Sequence, residues 1–226
     1  MIDINFLTKE LSPTYETTLP FSKKLVTFSP FKVKDSKNIS IILKEENKKL
    51  SLMAMVNVLK NNVSGVDIDD LCLADAEYLY LQMRGKSVGE ELNLKVFNES
   101  IKLNISDIKT RNTIVSKNIK IKDGINAVVK TPKIKDLLNV DFNDETALIK
   151  KYLKAITIKN EIFDLDKFIP NELKTLIENL PYSFVKELEK ISKEQPELYF
   201  TVKTDEGDKE VCGTLSFFTL LQTLSI

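Results

Sequence analysis

The chain has 226 residues, of which 42% are hydrophobic and 29% are charged, a composition that indicates one or two globular domains with a substantial core. Its 33 Lys and Arg residues balance 33 Asp and Glu residues, and only two of the cations are arginines, so no bulk charge favours a nucleic-acid partner. The absence of histidine excludes His-based catalysis and most transition-metal sites, and two cysteines are too few for structural zinc. We therefore expect no metal and no cofactor.

The N-terminal part predicts an arm, short strands and a long helix. Residues 1–24 are mixed in character and are expected to form an extended arm. Alternating apolar residues over 25–33 predict one or two short strands, with Pro30 at an edge or a turn. Helical spacing over 39–62 predicts one long helix that ends at the following Asn, Ser and Gly residues.

The helix predicted over 74–84 is the best-defined local pattern of the chain. Leu79 and Met83 lie on one face at helical spacing, and we expect that face to be buried. Gly85 is the expected left-handed residue after the helix, and Gly89 allows a turn into a strand.

Alternating apolar residues after this helix predict an antiparallel sheet with one solvated face. Asp123–Gly124 is a hairpin signal between the last two of its strands. The predicted strands contain residues 92–96, 101–105, 119–121 and 125–129.

The C-terminal part predicts mainly helices. Helical spacing runs from Asp144 to about Ile158, and Pro170 and Pro181 each stand where a further helix begins. Alternation over 198–202 then predicts a strand, with a hairpin partner over 209–212.

The tail over 214–226 is strongly apolar, and two interpretations of it stay open. It is either a terminal helix docked on the core or a surface that binds a partner. Its candidate anchors for a partner are Phe217, Phe218, Leu220 and Leu221.

Together these elements predict an α+β fold, in which helices pack on an antiparallel β-sheet and a mainly helical C-terminal part follows. The expected domains are an N-terminal arm over 1–24, an α+β domain over 25–135, and a mainly helical part over 136–226 that ends in a hairpin and the apolar tail.

Patterns typical of enzymes and ligand sites are incomplete in this sequence. Gly85-Lys86-Ser87 resembles the end of a phosphate-binding loop, but Tyr80 stands where that loop needs its first glycine. The aspartates over 67–70 lack the glycine and closing glutamate of a calcium-binding EF-hand. We predict that the protein is not an enzyme.

Residues 75–90 carry a longer motif, D-x-E-Y-L-x-x-x-x-R-x-K-S-x-G-E. This block resembles the T-even-type bacteriophage (myovirus) baseplate hub assembly protein family. The order of the other elements is similar over about residues 25–221, although only the 75–90 block is specific.

The resemblance implies a non-enzymatic protein of a contractile-tail phage, either a baseplate hub assembly factor or a minor hub subunit. It implies binding to other tail proteins, such as the hub or the tape measure, and a possible oligomer within a larger assembly. Its expected location is the host cytoplasm during assembly, with the virion tail baseplate as a second location; no sequence stretch reaches the ~18 apolar residues of a membrane span. The alternatives are a chaperone absent from the mature virion and an unrelated small regulatory binding module.

Within the motif, the candidate site residues are Arg84, Lys86, Ser87, Gly89 and Glu90. They either bind a partner or lock the helix-to-strand corner, the latter through hydrogen bonds and an arginine–carboxylate pair.

Overall fold

The computed structural model describes residues 11–44, 47–96, 99–140, 145–159, 161–204 and 207–212. The backbone divides into two units. Unit 1 contains the described residues up to Arg111 and those from Glu197 onward, and unit 2 is Asn112–Pro196. These limits differ from the domain boundaries expected after residues 24 and 135.

Unit 1 contains three helices in its described residues: α1 (Ser36–Lys44), α2 (Lys48–Asn62) and α3 (Leu73–Val88). The single helix predicted over 39–62 is therefore wrong. Asn47 begins a new helix, because it has extended backbone angles and its side chain accepts hydrogen bonds from the amides of Lys49 and Leu50.

The strands of unit 1 pair in three antiparallel groups. The first group has the order β1 (Tyr15–Thr18), β2 (Leu25–Phe28), β3 (Val63–Ser64). The second is the hairpin of β4 (Glu91–Val96) and β5 (Glu99–Asn104). In the third, β6 (Lys109–Arg111) and β12 (Gly207–Cys212) flank β11 (Glu197–Thr204), so the predicted hairpin near the C-terminus is confirmed.

Unit 2 contains one four-stranded antiparallel sheet and four helices in its described residues. The strands are β7 (Ser116–Lys122), β8 (Ile125–Lys130), β9 (Leu153–Ile158) and β10 (Glu161–Asp164), in the order β10-β9-β8-β7. The helices are α4 (Ile134–Leu138), α5 (Glu145–Tyr152), α6 (Pro170–Glu178) and α7 (Tyr182–Lys193). Pro170 stands in the first turn of α6, as predicted.

The core of unit 2 lies between the sheet and the helices, which bury their apolar sides together. The core cluster consists of Val115, Ile119, Ala127, Val129, Leu153, Leu165, Leu173, Ile177, Phe184, Leu188 and Ile191.

Short 3-10 turns complete the described secondary structure of the chain. They are Val33–Asp35, Ile68–Asp70, Ile105–Asp107 and Leu165–Lys167. No helix among the described residues is long and apolar enough to cross a membrane.

The predicted fold class is wrong in two respects. The strands of the described residues form four sheets of two to four strands rather than one, and the C-terminal part is not mainly helical, because β9 to β12 lie in it. The helix predicted from Asp144 to about Ile158 ends at Tyr152. The β-branched residues of Leu153–Ile158 favour a strand, which pairs with β8 and β10.

Helix α3 is buried around almost its whole circumference over its first three turns. The predicted burial of Leu79 and Met83 is confirmed, since both are 0% exposed. The buried set also includes residues on the other faces: Leu73, Ala74, Asp75, Ala76, Glu77, Tyr80 and Leu81. The helix therefore forms part of the interior of unit 1 and not merely one wall of it.

We predict that Leu79→Ala lowers the free energy of unfolding by ~2–5 kcal/mol, because it leaves a cavity at a fully buried site. Val33→Ala serves as the control, since Val33 is 91% exposed and surface changes stay within ~0.5 kcal/mol. Denaturant melts measure both variants. A loss at Leu79 as small as that of the control would contradict the buried position of this face.

Candidate functional site

The candidate site comprises α3 and the corner at which the chain passes from α3 into β4. At the beginning of the helix, Asp75 is fully buried. Its carboxylate accepts hydrogen bonds from the amides of Phe21 (3.0 Å) and Ser22 (2.9 Å). Such charge-assisted bonds are stronger than neutral ones, and negative charge is favoured in the first turn of a helix. Asp75 thereby ties the segment between β1 and β2 to α3.

Cys72 precedes α3, and its thiol is buried beside Asp75. Burial and the negative charge of Asp75 raise the pKa of the Cys72 thiol to about 12. The thiol is therefore protonated at neutral pH and is a poor nucleophile. Neither Cys72 nor Cys212 forms a disulfide, and Cys212 is half-buried.

Glu77 is the least ordinary residue of the helix, because it is 0% exposed and neither carboxyl oxygen has a hydrogen-bond partner among the described residues. Burial, and secondarily the negative charge of Glu197, raise the pKa of Glu77 well above 4.5. The protonated, neutral carboxyl is the form that burial favours.

Glu197 itself belongs to an ionic cluster on the sheet of β6, β11 and β12. Arg111 Nε donates to Glu197 Oε1 at 2.5 Å, and Nη1 donates to Glu210 Oε2 at 2.6 Å. The guanidinium also lies over the ring of Tyr199, 5.0 Å from its centroid. Arg111 thus joins all three strands. Its partners are distant in the chain, so no local pattern of the sequence indicates this role.

Helix α3 continues to Val88, four residues beyond its predicted end. Gly85 lies inside the helix, so its predicted left-handed role is wrong. A Cβ at Gly85 would lie 3.1 Å from Cδ1 of Ile105, so the small residue permits close packing here. The left-handed residue is Gly89, with φ +113°.

Arg84 holds the corner through backbone carbonyls. Its Nη1 donates to the carbonyl oxygens of Gly89 and Glu91, the latter at 2.9 Å. The arginine–carboxylate pair expected at this corner is not formed, because Arg84 pairs with no carboxylate of the described residues. The carboxylate of the corner, Glu90, instead pairs with Lys86 at 3.0 Å.

Ser87 connects the end of α3 to a distant segment. Its hydroxyl donates to the carbonyl of Met83 (2.7 Å) and accepts from the amide of Phe31 (2.8 Å). Lys86 has a second contact, with Nζ 5.6 Å from the ring centroid of Tyr15. Two pairs of the motif residues therefore contact each other, Arg84 with Gly89 and Lys86 with Glu90, whereas Ser87 contacts residues outside the predicted set.

Two further features singled out in the sequence are the apolar tail and the aspartate-rich turn over residues 67–70. Phe217, Phe218, Leu220 and Leu221 lie outside the described residues. In the aspartate-rich turn, Asp67 accepts from the amide of Asp69, and Asp69 pairs with Lys60 at 2.7 Å. Within the described part of the chain, no three His, Cys, Asp or Glu side chains are arranged to hold a metal ion.

A sequence model of the family described as T4 bacteriophage base plate protein matches residues 12–219. The chain belongs to this family. The match spans both units and includes α3 and its corner, and it confirms the resemblance to T4-type phage baseplate proteins. Comparisons with curated proteins and with solved structures found no significant match. Membership of a baseplate family implies interaction with other phage tail proteins.

We predict that Gly89→Ala destabilises the baseplate protein by ~1–3 kcal/mol, because φ +113° with ψ 161° is a conformation that residues with a Cβ rarely adopt. Val88→Ala, one residue earlier and 53% exposed, is the matched control and should change stability by at most ~0.5 kcal/mol. Urea melts of both variants compare the effects. If both variants lose the same unfolding free energy, the corner does not require glycine.

We also predict that Glu77→Gln raises stability increasingly as the pH rises. The folded-state pKa of Glu77 lies above its unfolded value, so the stability of the wild type declines from about pH 4.5 upward through the raised pKa. A neutral glutamine is free of this loss. Urea melts between about pH 5 and about pH 8 measure the difference in unfolding free energy between variant and wild type.

Glu16→Gln is the control for this experiment, because Glu16 is exposed in β1 of the same unit. Its effect on the pH profile should be small. A Glu77→Gln effect that is constant across the pH range would contradict a protonated Glu77.

Proposed function

We propose that the protein is a non-enzymatic baseplate hub assembly protein or minor hub subunit that acts through protein–protein binding. The observation that carries this proposal is the block Asp75–Glu90. It has the motif of the hub assembly resemblance, lies inside the family match, and uses its polar side chains mainly for contacts within the chain. A block committed to its own fold supports a structural role rather than a chemical one.

We infer that Arg84, Lys86, Ser87, Gly89 and Glu90 lock the corner rather than bind a partner. In support, Arg84 bonds to two carbonyls and Ser87 bridges two segments. Lys86 and Glu90 are more exposed, but they pair with each other, and such a surface pair contributes little. The partner surface is then expected elsewhere on the chain.

The apolar tail is the proposed partner surface, with Phe217, Phe218, Leu220 and Leu221 as its anchors. Zero net charge and two arginines favour apolar contacts over a long-range charge field. Large aromatic side chains that fill partner pockets supply much of the energy of interfaces.

Mass spectrometry of purified virions and pull-down from infected cells test the role. A minor hub subunit should occur in the virion together with hub proteins. An assembly chaperone should co-purify with hub or tape-measure protein and be absent from the virion. A protein found in neither preparation would contradict the proposed function and favour an unrelated binding module.

We predict that Phe217→Ser with Phe218→Ser abolishes co-purification with tail proteins and leaves the circular dichroism spectrum unchanged. Ile162→Ser with Ile169→Ser is the control, because both isoleucines are exposed, at 72% and 60%, and lie outside the tail. This control should still co-purify. If the phenylalanines belong to the core, their loss costs ~3–5 kcal/mol each and the protein unfolds, which would contradict a role as anchors.

A further inference from the structure

A cavity of about 620 Å³ lies in unit 2, beside α4, the end of α5 and the beginning of β9. Its volume is within the ~300–1,000 Å³ that is usual for ligand sites. The described side chains that line it are unusually basic, with six lysines against three aspartates. The lysines are Lys130, Lys133, Lys135, Lys150, Lys151 and Lys154.

Two of the three aspartates already serve the local fold. Asp136 accepts from the amide of Lys133 at 2.8 Å and pairs with Lys130 at 2.9 Å. Asp164 accepts from the amide of Asp166, where it caps the 3-10 turn that follows β10. These carboxylates therefore hold the wall of the cavity in place.

Lys150 and Lys154 supply the cationic charge that is available to a ligand. Both are exposed, and neither makes an ion pair with a described residue. Lys151, between them in the chain, is partly buried, and this burial lowers the pKa of its ammonium group. An anion bound here would therefore meet two exposed ammonium groups and, between them in the chain, one that is partly shielded from water.

The inner part of the cavity is apolar. Val115, Val140, Leu153 and Leu165 line it and are each at most 8% exposed. The described lining contains no aromatic side chain, so it lacks the stacking surface that single-stranded nucleic acids use. Lysine also presents a flexible point charge rather than the planar fork of arginine, which suits carboxylates in variable positions.

We propose that this cavity binds an acidic peptide segment of a partner tail protein. Its carboxylates pair with Lys150, Lys154 and the neighbouring lysines, and an apolar side chain packs on the inner wall. The inference deepens the proposed function, on which it rests, because it names the chemistry of a partner.

Fluorescence anisotropy tests the proposal with a labelled peptide that has one leucine between two runs of glutamate. Lys150→Glu with Lys154→Glu should weaken binding at least about tenfold, because it replaces attraction by repulsion. Lys122→Glu with Lys193→Glu is the matched control, since it changes the net charge equally at exposed positions of unit 2 outside the cavity. The control should stay within about twofold of the wild type.

A second pair, Lys150→Gln with Lys154→Gln, removes the charges without repulsion and should also weaken binding, with unchanged circular dichroism. A peptide with alanine in place of leucine should bind more weakly if the apolar wall is used. The proposal is overturned if the cavity pair and the control pair weaken peptide binding equally, or if the wild type does not bind the peptide at low salt. It is also overturned if the protein binds inorganic tripolyphosphate but not the peptide. If the peptide fails while tail proteins still co-purify, this inference is wrong and the proposed function stands.

Discussion

The burial of α3 on almost all sides is the constraint on which unit 1 depends. A helix in this position must satisfy or neutralise every polar group that it takes inside. Asp75 and Glu77, two residues apart, meet this requirement differently. Asp75 receives two backbone amides from the segment between β1 and β2, whereas Glu77 receives none from the described residues and is favoured as a neutral acid. The first carboxyl therefore fixes the path of the chain, and the second makes stability depend on pH.

Local patterns in the sequence predict much of the secondary structure, because they require only neighbours along the chain. The buried face of Leu79 and Met83 and the start of α6 at Pro170 are of this kind. Local pattern does not predict the change from helix to strand within the region 144–158. Leu153 and Ile156 fit a helical period, yet Ile156 pairs with Ala127 in β8 and with Phe163 in β10, and these distant partners determine a strand. The number of sheets likewise depends on pairings between distant segments.

The candidate site shows the same division between local and distant information. The five motif residues lie within seven positions, so their clustering follows from the sequence alone. Their partners do not, because Ser87 bonds to Phe31 and Arg84 bonds to carbonyls that the turn at Gly89 brings near. The lysines of the cavity are a stronger example. Each resembles an ordinary solvated charge in the sequence, and only the arrangement of α4, α5 and β9 brings them around one space.

Zero net charge disfavours long-range attraction of a polyanion, but it does not prevent short-range recognition of an acidic group inside the cavity. Over distances beyond the Debye length of about 8–10 Å, positive and negative groups of the chain are screened, and the balanced totals give no steering toward a polyanion. A ligand inside the cavity interacts mainly with the charges that lie within a few ångströms of it. Among the described lining residues, lysines outnumber aspartates two to one. A neutral baseplate protein can thus select an acidic segment at short range without attracting nucleic acid at long range. Such selection suits assembly, in which the partner is brought close by other contacts and must then be distinguished from its neighbours.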